Sequence, residues 1–424
     1  MKNMKKLFGI FLSMTIVASS FAGCSGGNSA ANGQSAVGEN ERGKAIYWTW
    51  LSAQQGALDE YYKIDDSVEF ELIQMNHEDI KQKLLIALSA GSGAPDLFQL
   101  PLRHFQSVAK TEKLMDVTSY IEPSIDQFSD TTTSILRVND KYYGMAPDVC
   151  PAVLWYRQDI FDENGIGQIT TWGEFEEAAK ILKKKDIYMM PIFNPAGTWG
   201  ANAIGMYLQS RGVGYFDEDG KVIQNNADLE YVLKWLYNMS ENGYGEKLTF
   251  YSPEFWGEYK SGKIATLPAN IAEGANIKKN MPELSGKWSV LPFPRWDDKE
   301  EALTGYWGGT AIGISNDSPV KEQAAKYAQW LCTTTEGQKA MYFSWGSVPS
   351  NEVAIKDKSF KEPDEYFSNK VVLDQILPSV PVYYNEFAIV ESVVGEQIDL
   401  MFAGSQDPTT TARNIEQGLV NEIS

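Results

Sequence analysis

Pro147 and Pro151 bracket Asp148 within the stretch Tyr142–Gly167, YYGMAPDVCPAVLWYRQDIFDENGIG. Proline fixes φ, offers no amide hydrogen and pushes the residue before it out of the helical region, so this stretch excludes a helix through its centre. The local pattern reads as a short strand, a Pro-bracketed turn, a second apolar strand over Ala152–Tyr156 and a helix beginning at Asp159. Two readings follow. One is an ordinary strand–turn–strand. The other is a stiff connector where the chain passes between two folded units, with Asp148 near the space between them.

On either side, strands and helices alternate. Lys44–Trp50 reads as an apolar strand, and Val68, Phe70 and Leu72 alternate in a second. Asn76–Gly91 has an N-cap residue, an amphipathic middle and a stopping glycine. Ala94–Leu100 gives a third strand. Such alternation argues for an α/β fold with parallel strands. Further on, Thr171-Trp172-Gly173-Glu174 matches a capping box. Ile187–Phe193 reads as a strand, Asp228–Asn242 as a helix, Lys287–Phe293 and Thr310–Ser315 as strands, and Pro319–Leu331 as a helix. Trp345–Asn351 is a second Pro-containing connector, and helices are expected over Glu386–Phe402 and Thr409–Ile423.

Two acidic or glycine-bearing stretches mimic known sites. Asp217–Gly220 is too short for a calcium loop and reads as a hairpin turn. Gly257 to Lys263 has the spacing of a phosphate-binding loop, but Ile264 follows in place of Ser or Thr and no strand precedes it. It reads as a helix ending at Gly262 and a strand over Ile264–Pro268.

The formal charge of −19 disfavours nucleic acid and other polyanions and is compatible with an uncharged ligand. Three cysteines form no zinc pattern; Cys150 and Cys332 read as inert, with a mutual disulfide a minor alternative. The two histidines, His77 in a helix-cap region and His104 in a loop, come without a nucleophile motif. At the start, Lys2, Lys5 and Lys6 precede an apolar run over Leu7–Val17, too short for a stable spanning helix. Phe21-Ala22-Gly23-Cys24 resembles the bacterial lipoprotein signal, which implies cleavage before Cys24 and acylation of its thiol. Ser25–Gly43 is rich in Gly, Ser, Asn and Ala and reads as a flexible tether.

Taken in order, the motifs resemble the extracellular solute-binding proteins of bacterial ABC importers, in particular the maltose-binding-protein-like carbohydrate group. The residues that carry the resemblance are Ala94-Pro95-Asp96-Leu97-Phe98, Tyr143-Gly144-Met145 through Asp148, Leu154-Trp155-Tyr156, and Asp159-Ile160-Phe161 with Gly165-Ile166. Thr171–Phe175, Tyr259 to Ala265, Leu291–Pro294, Gly308-Gly309 and Glu336-Gly337-Gln338 follow in the same order. The chain departs from the family at Arg157, where Asn usually follows that tyrosine, at Ala146-Pro147, which replaces a common Pro-aromatic pair, and at Leu267–Asn270, which lacks the tryptophan often found there.

The resemblance implies an α/β, two-lobed periplasmic-binding-protein-like fold of type II, with three hinge crossings near Val149–Ala152, Trp288–Val290 and Val348–Ser350. The expected organisation is a signal peptide over 1–23, lipidated Cys24 and tether over 24–43, lobe 1 over 44–149 plus 289–348, and lobe 2 over 150–288 plus 349–424. The implied protein is a monomer, lipid-anchored on the outer face of the membrane of a Gram-positive cell. It captures a carbohydrate, in the expected case an oligosaccharide, and delivers it to ABC permease subunits served by separate ATPase chains. No cofactor, metal or catalytic residue is implied. The alternatives are a secreted glycoside hydrolase, whose two carboxylates a sequence with 56 acidic residues cannot deny, and a sugar-sensing surface lipoprotein.

A sugar presents hydroxyls and apolar C–H faces, so its site needs aromatic platforms and a few fixed polar groups. Trp50 and Gln54 follow the first strand, at the end where α/β sheets bind ligands. Trp199 and Trp307 sit beside glycines in what read as loops. Trp345 opens the second Pro-containing connector. Asp148 is expected to bond sugar hydroxyls, and Asn270, Tyr384 and Glu386 join the candidate set by position in the family. Trp235, Trp330 and Asp96 are assigned to structure.

Overall fold

The computed structural model describes residues 43–193, 198–379 and 387–423. Cys24, the tether, Tyr384 and Glu386 lie outside the described residues.

Eight strands form the main sheet, numbered in chain order: β1 Gly43–Thr49, β2 Val68–Gln74, β3 Leu97–Pro101, β4 Gly144–Arg157, β5 Thr266–Asn270, β6 Trp288–Pro292, β7 Tyr306–Ile314 and β8 Val348–Pro349. Their order is β6-β4-β7-β3-β1-β2, with β5 and β8 also paired to β4. The β1 strand pairs in parallel with β2 and β3, while β7 runs antiparallel to both β3 and β4. The expected parallel α/β beginning is present, and it is closed by antiparallel strands from much later in the chain.

The sequence reading broke Tyr142–Tyr156 into strand, turn and strand. The structure instead carries one 14-residue strand, β4, through both prolines, and every residue of it is buried. Proline is tolerated where no ladder amide is needed. Here the neighbours use the proline carbonyls: Ile271 N donates to Pro151 O at 2.8 Å, and Gln338 Nε2 donates to Pro147 O at 2.8 Å. The strand's first half pairs with β7 and β8, and its second half with β5 and β6.

Each half has its own apolar core. Two clusters cover the two faces of the N-terminal sheet. Successive residues of β3 and β7 alternate between them: Leu97, Ile312 and Ile314 face one, Phe98, Leu100 and Ala311 the other. Helices His77–Ala90 and Leu102–Ala109 supply the second face with Ile80, Leu84, Phe105 and Val108. A third cluster is built on the second half of β4, with Trp155, helix Trp172–Lys183, helix Ala227–Glu241 and Val390 and Val394 of helix Phe387–Phe402. Trp288 and Val290 belong to this third core, as does Trp307, whereas Ala311 and Ile312 do not. The side chains therefore change cores inside β7, between Trp307 and Ala311, rather than at Trp288–Val290 where the second crossing was expected.

Several local expectations hold. Asn76 Oδ1 accepts from Asp79 N at 2.8 Å, and Gly91 ends that helix in the left-handed region. Thr171 and Glu174 form the reciprocal capping box. Gly262 caps helix Pro253–Ser261 with φ 78°, and Asp217 N donates to Lys221 O in a turn. Asp96 accepts from Ile46 N and Ser318 Oγ, which is a structural role. Cys150 and Cys332 are free and buried, so they do not pair. His104 is not in a loop but in helix Leu102–Ala109, where it is buried. Arg157, one of the departures from the family pattern, is buried at the end of β4. Its guanidinium bonds both oxygens of Asp159 at 2.8 and 2.7 Å and the Tyr259 carbonyl at 2.7 Å, so it ties the strand to helix Pro253–Ser261. No helix among the described residues is long and apolar enough to cross a membrane.

Candidate ligand-binding site

A cavity of about 400 Å³ opens where β4, β7 and the helix after β5 approach one another. Its size falls within the usual range for small-molecule sites. Trp50, Asp148, Asn270, Trp307 and Trp345 all line it. They come from five separate stretches of chain, and β4 sets their common centre.

Trp307 reaches the cavity because β7 is irregular, not because it lies in a loop. The register between β7 and β4 shifts between Tyr306 and Gly309, and Gly308 and Gly309 have φ of 122° and 95°. A bulge of this kind turns a side chain out of the regular pleat. Trp307 is then buried, stacked on Phe250 at 5.8 Å and 27°. Trp50 follows β1 and meets His77 edge-on at 5.9 Å. Trp345 is the last residue of helix Thr335–Trp345, which ends on Gly346 in the left-handed region. Trp199 belongs to the first turn of helix Thr198–Ser210, also not a loop.

Asp148 is 1% exposed and accepts from Thr310 Oγ1. Burial pushes its carboxyl above the usual range, while donors at Thr310, Ser347 and Trp345 pull the other way. Behind Thr310 runs a chain of donors with one polarity. Gln99 Nε2 donates to Thr310 Oγ1 at 3.1 Å. Gln99 Oε1 accepts from Thr49 Oγ1 at 2.7 Å and from Gln54 Nε2 at 3.2 Å, and Tyr327 Oη donates to Gln54 Oε1 at 3.4 Å. Every dipole in the chain points toward Asp148, which strengthens it as an acceptor. Gln54 is thus placed behind the cavity wall, fully buried, and not among the lining residues.

Apart from Asn270, the other wall was not legible in the sequence. Glu273 begins helix Glu273–Asn280, lines the cavity and is 3% exposed. Tyr251 Oη donates to its Oε1 at 2.5 Å and Asn276 Nδ2 to its Oε2 at 3.0 Å. Burial raises the Glu273 carboxyl, opposed by Tyr251, Asn276 and Asn270. Tyr251 holds φ 61°, a left-handed conformation uncommon for a tyrosine and one that clusters at binding sites. Asn270, at the end of β5, presents a buried Oδ1 with no hydrogen-bond partner. A hydroxyl arriving in the cavity would satisfy it. The one sequence signal for this wall was Asn270 itself; Tyr251 and Glu273 follow ordinary strand and helix punctuation.

At the rim, Arg103 lines the cavity and its Nε lies 3.3 Å from Glu391 Oε1. His104 Nε2 stands 3.7 Å from Glu78 Oε1 and 3.8 Å from Glu391 Oε1, and Lys81 Nζ is 3.0 Å from Glu78. Burial and the Arg103 charge push His104 down to about 2, so its imidazole is neutral. The donor atoms of Glu78, His104 and Glu391 fall within 4.8 Å of one another, as metal ligands can. Both carboxylates already have cationic partners in Arg103 and Lys81, so the set is charge-balanced without an ion.

Two α/β halves with separate cores share one strand and enclose a cavity of indoles, carboxyls and amides, which is a two-lobed fold with a cavity between the lobes. Residues 57–368 match the family described as bacterial extracellular solute-binding protein, and the chain belongs to that family. Among its relatives is the arabinooligosaccharide-binding protein of Bacillus subtilis, 26% identical over 436 residues that cover 96% of each chain. In fold it is similar to the galacto-N-biose/lacto-N-biose I-binding protein of a Bifidobacterium longum ABC transporter, solved with lacto-N-biose. That match has a TM-score of 0.74 at 20% identity and covers 90% of this chain and 96% of the other. It is also similar to the sugar-binding protein MalE of Xanthomonas citri, with a TM-score of 0.74 at 19% identity and coverage of 90% and 97%.

Proposed function

We propose that this chain captures a neutral oligosaccharide in the interlobe cavity and delivers it to the permease subunits of an ABC importer, which separate ATPase chains drive. The observation that carries the reading is one cavity in which three indoles, Trp50, Trp307 and Trp345, meet two buried carboxyl groups, Asp148 and Glu273. Aromatic faces suit the C–H surface of a sugar ring, and buried acceptors suit its hydroxyls. Arabino-oligosaccharides are the first class to test, since the B. subtilis relative is named for them and spans nearly the whole chain. The reading is of binding without turnover.

Titration calorimetry with arabinotriose, maltotriose and β-1,6-galactobiose tests it. Saturable one-to-one binding of at least one, with the sugar recovered intact, is the expected result. Release of smaller sugars would move the protein into the glycoside hydrolases. Trp345→Ala, at a half-buried position, should weaken the best ligand at least tenfold while leaving the melting temperature within a few degrees.

The lobe division that fits the cores runs through the middle of β4, within β7 between Trp307 and Ala311, and at β8. Cys24 is proposed as the lipid attachment point and residues 25–43 as its tether, holding a monomeric body outside the cell. Cys24→Ser should release the protein from the membrane fraction into the medium, read by fractionation and immunoblot.

A further inference from the structure

We infer that Arg103 and Glu391 form a clasp across the cleft that favours the closed arrangement of the lobes even without ligand. The inference rests on the two-lobe reading but not on the identity of the sugar. Arg103 stands on helix Leu102–Ala109, whose Phe105 and Val108 pack in a core of the N-terminal half. Glu391 stands on helix Phe387–Phe402, whose Val390 and Val394 pack in the core built on the second half of β4. The ion pair therefore joins two bodies with separate cores. Both side chains are almost covered, at 10% and 11% exposure, so water screens the pair less than it would a surface bridge.

The surroundings restrict what else the pair can do. His104 faces Glu391 from the same helix as Arg103, and Glu78 and Lys81 face His104 from helix His77–Ala90. His104 is buried and uncharged beside Arg103, so Arg103 supplies the positive charge that meets Glu391. Opening the lobes would pull the guanidinium away from the Glu391 carboxylate. The pair thus acts on the open–closed equilibrium, and only through it on ligand affinity: an apparent dissociation constant scales inversely with the fraction of competent protein. Arg103 also lines the cavity, so a bound sugar and Glu391 meet the same guanidinium. Glu391 does not line it, which makes Glu391 the position at which closure can be changed without touching the ligand contacts. It is a positioning residue.

Small-angle X-ray scattering of unliganded protein tests the clasp, using the Cys24→Ser form to keep the chain soluble. Glu391→Gln should shift the radius of gyration upward relative to the parent. Arg103→Gln should produce the same shift, and the double variant should go no further than either single one. Identical scattering of parent and Glu391→Gln would overturn the clasp, as would additive shifts in the double variant. Titration with arabinotriose is the second arm. Glu391→Gln should weaken it by the factor by which closure falls, on the order of tenfold for a coupling of ordinary size, with no change in which of arabinotriose and maltotriose binds more tightly. If neither sugar binds the parent, the ligand assignment fails and the scattering result stands on its own.

Discussion

Asp148 combines two demands that conflict. In its proposed role as an acceptor for sugar hydroxyls it should be ionised; as a residue 1% exposed it is costly to ionise. Burial raises its folded-state value above the ordinary one. Stabilisation from such a group is complete below the ordinary value of about 3.9 and is lost as pH rises through the folded value. Raising the pH above that ordinary value therefore takes stability away from the fold at this site. Asp148→Asn keeps an acceptor for Thr310 and removes the charge. Its melting temperature at pH 7 should exceed that of the parent by a few degrees, with a smaller gap at pH 4, and sugar affinity should fall at least tenfold. Scanning calorimetry at both pH values with one titration checks this; a variant less stable than the parent at pH 7 would count against it. Gln54 teaches a related lesson. It was read as part of the polar loop after the first strand, whereas it opens helix Gln54–Tyr61, and sequence position alone does not say which way an amide faces. The structure turns it inward, onto Gln99 and away from the cavity.

At the scale of elements, capping and periodicity were legible because they are local. Asn76 and Thr171 bond amides, and Gly262 bonds carbonyls, of the helices they cap, so spacing alone reveals them. What escaped was set by partners far along the chain. The β4 strand is buried on both faces, so it has no alternation to read, and its prolines look like breaks unless the strands that use their carbonyls are known. The bulge at Trp307–Gly309 depends on β4 lying alongside. A Cβ placed on Gly309 would come within 2.8 Å of Leu102 Cδ1 and 3.2 Å of the Asp148 carbonyl oxygen, on backbone already at φ 95°. Gly309→Ala should therefore destabilise by about 1–3 kcal/mol. Gly257, inside helix Pro253–Ser261 with nothing within 4 Å of its Cβ position, makes the contrast. Gly257→Ala should stabilise by roughly 0.5–1 kcal/mol. Urea denaturation of both variants measures the difference; a loss at Gly257 as large as that at Gly309 would contradict the account.

Across the whole molecule, two sets of cores hang on one strand. The two halves are joined by β4 as one continuous buried strand. Thermal unfolding should therefore show a single transition, and a sugar present at one hundred times its dissociation constant should add about 2.7 kcal/mol to the stability of all of it. Two calorimetric peaks, of which sugar moves one, would break that expectation. The overall architecture was legible from the order of many weak motifs, whereas the site was legible only in part, because its second wall comes from Tyr251 and Glu273, which carry no pattern of their own.

The strand order has a consequence in time as well as in space. In the N-terminal sheet, β7 sits between β3 and β4, and the bond from Gln99 to Thr310 joins residues 211 positions apart. As the chain leaves the ribosome, β1 to β4 are complete long before the strand that must lie in their midst. The gap cannot close until the chain beyond residue 314 has been made. Contacts of such long range fold slowly. The earlier strands of that sheet therefore wait, without their middle partner, through most of the synthesis of the chain.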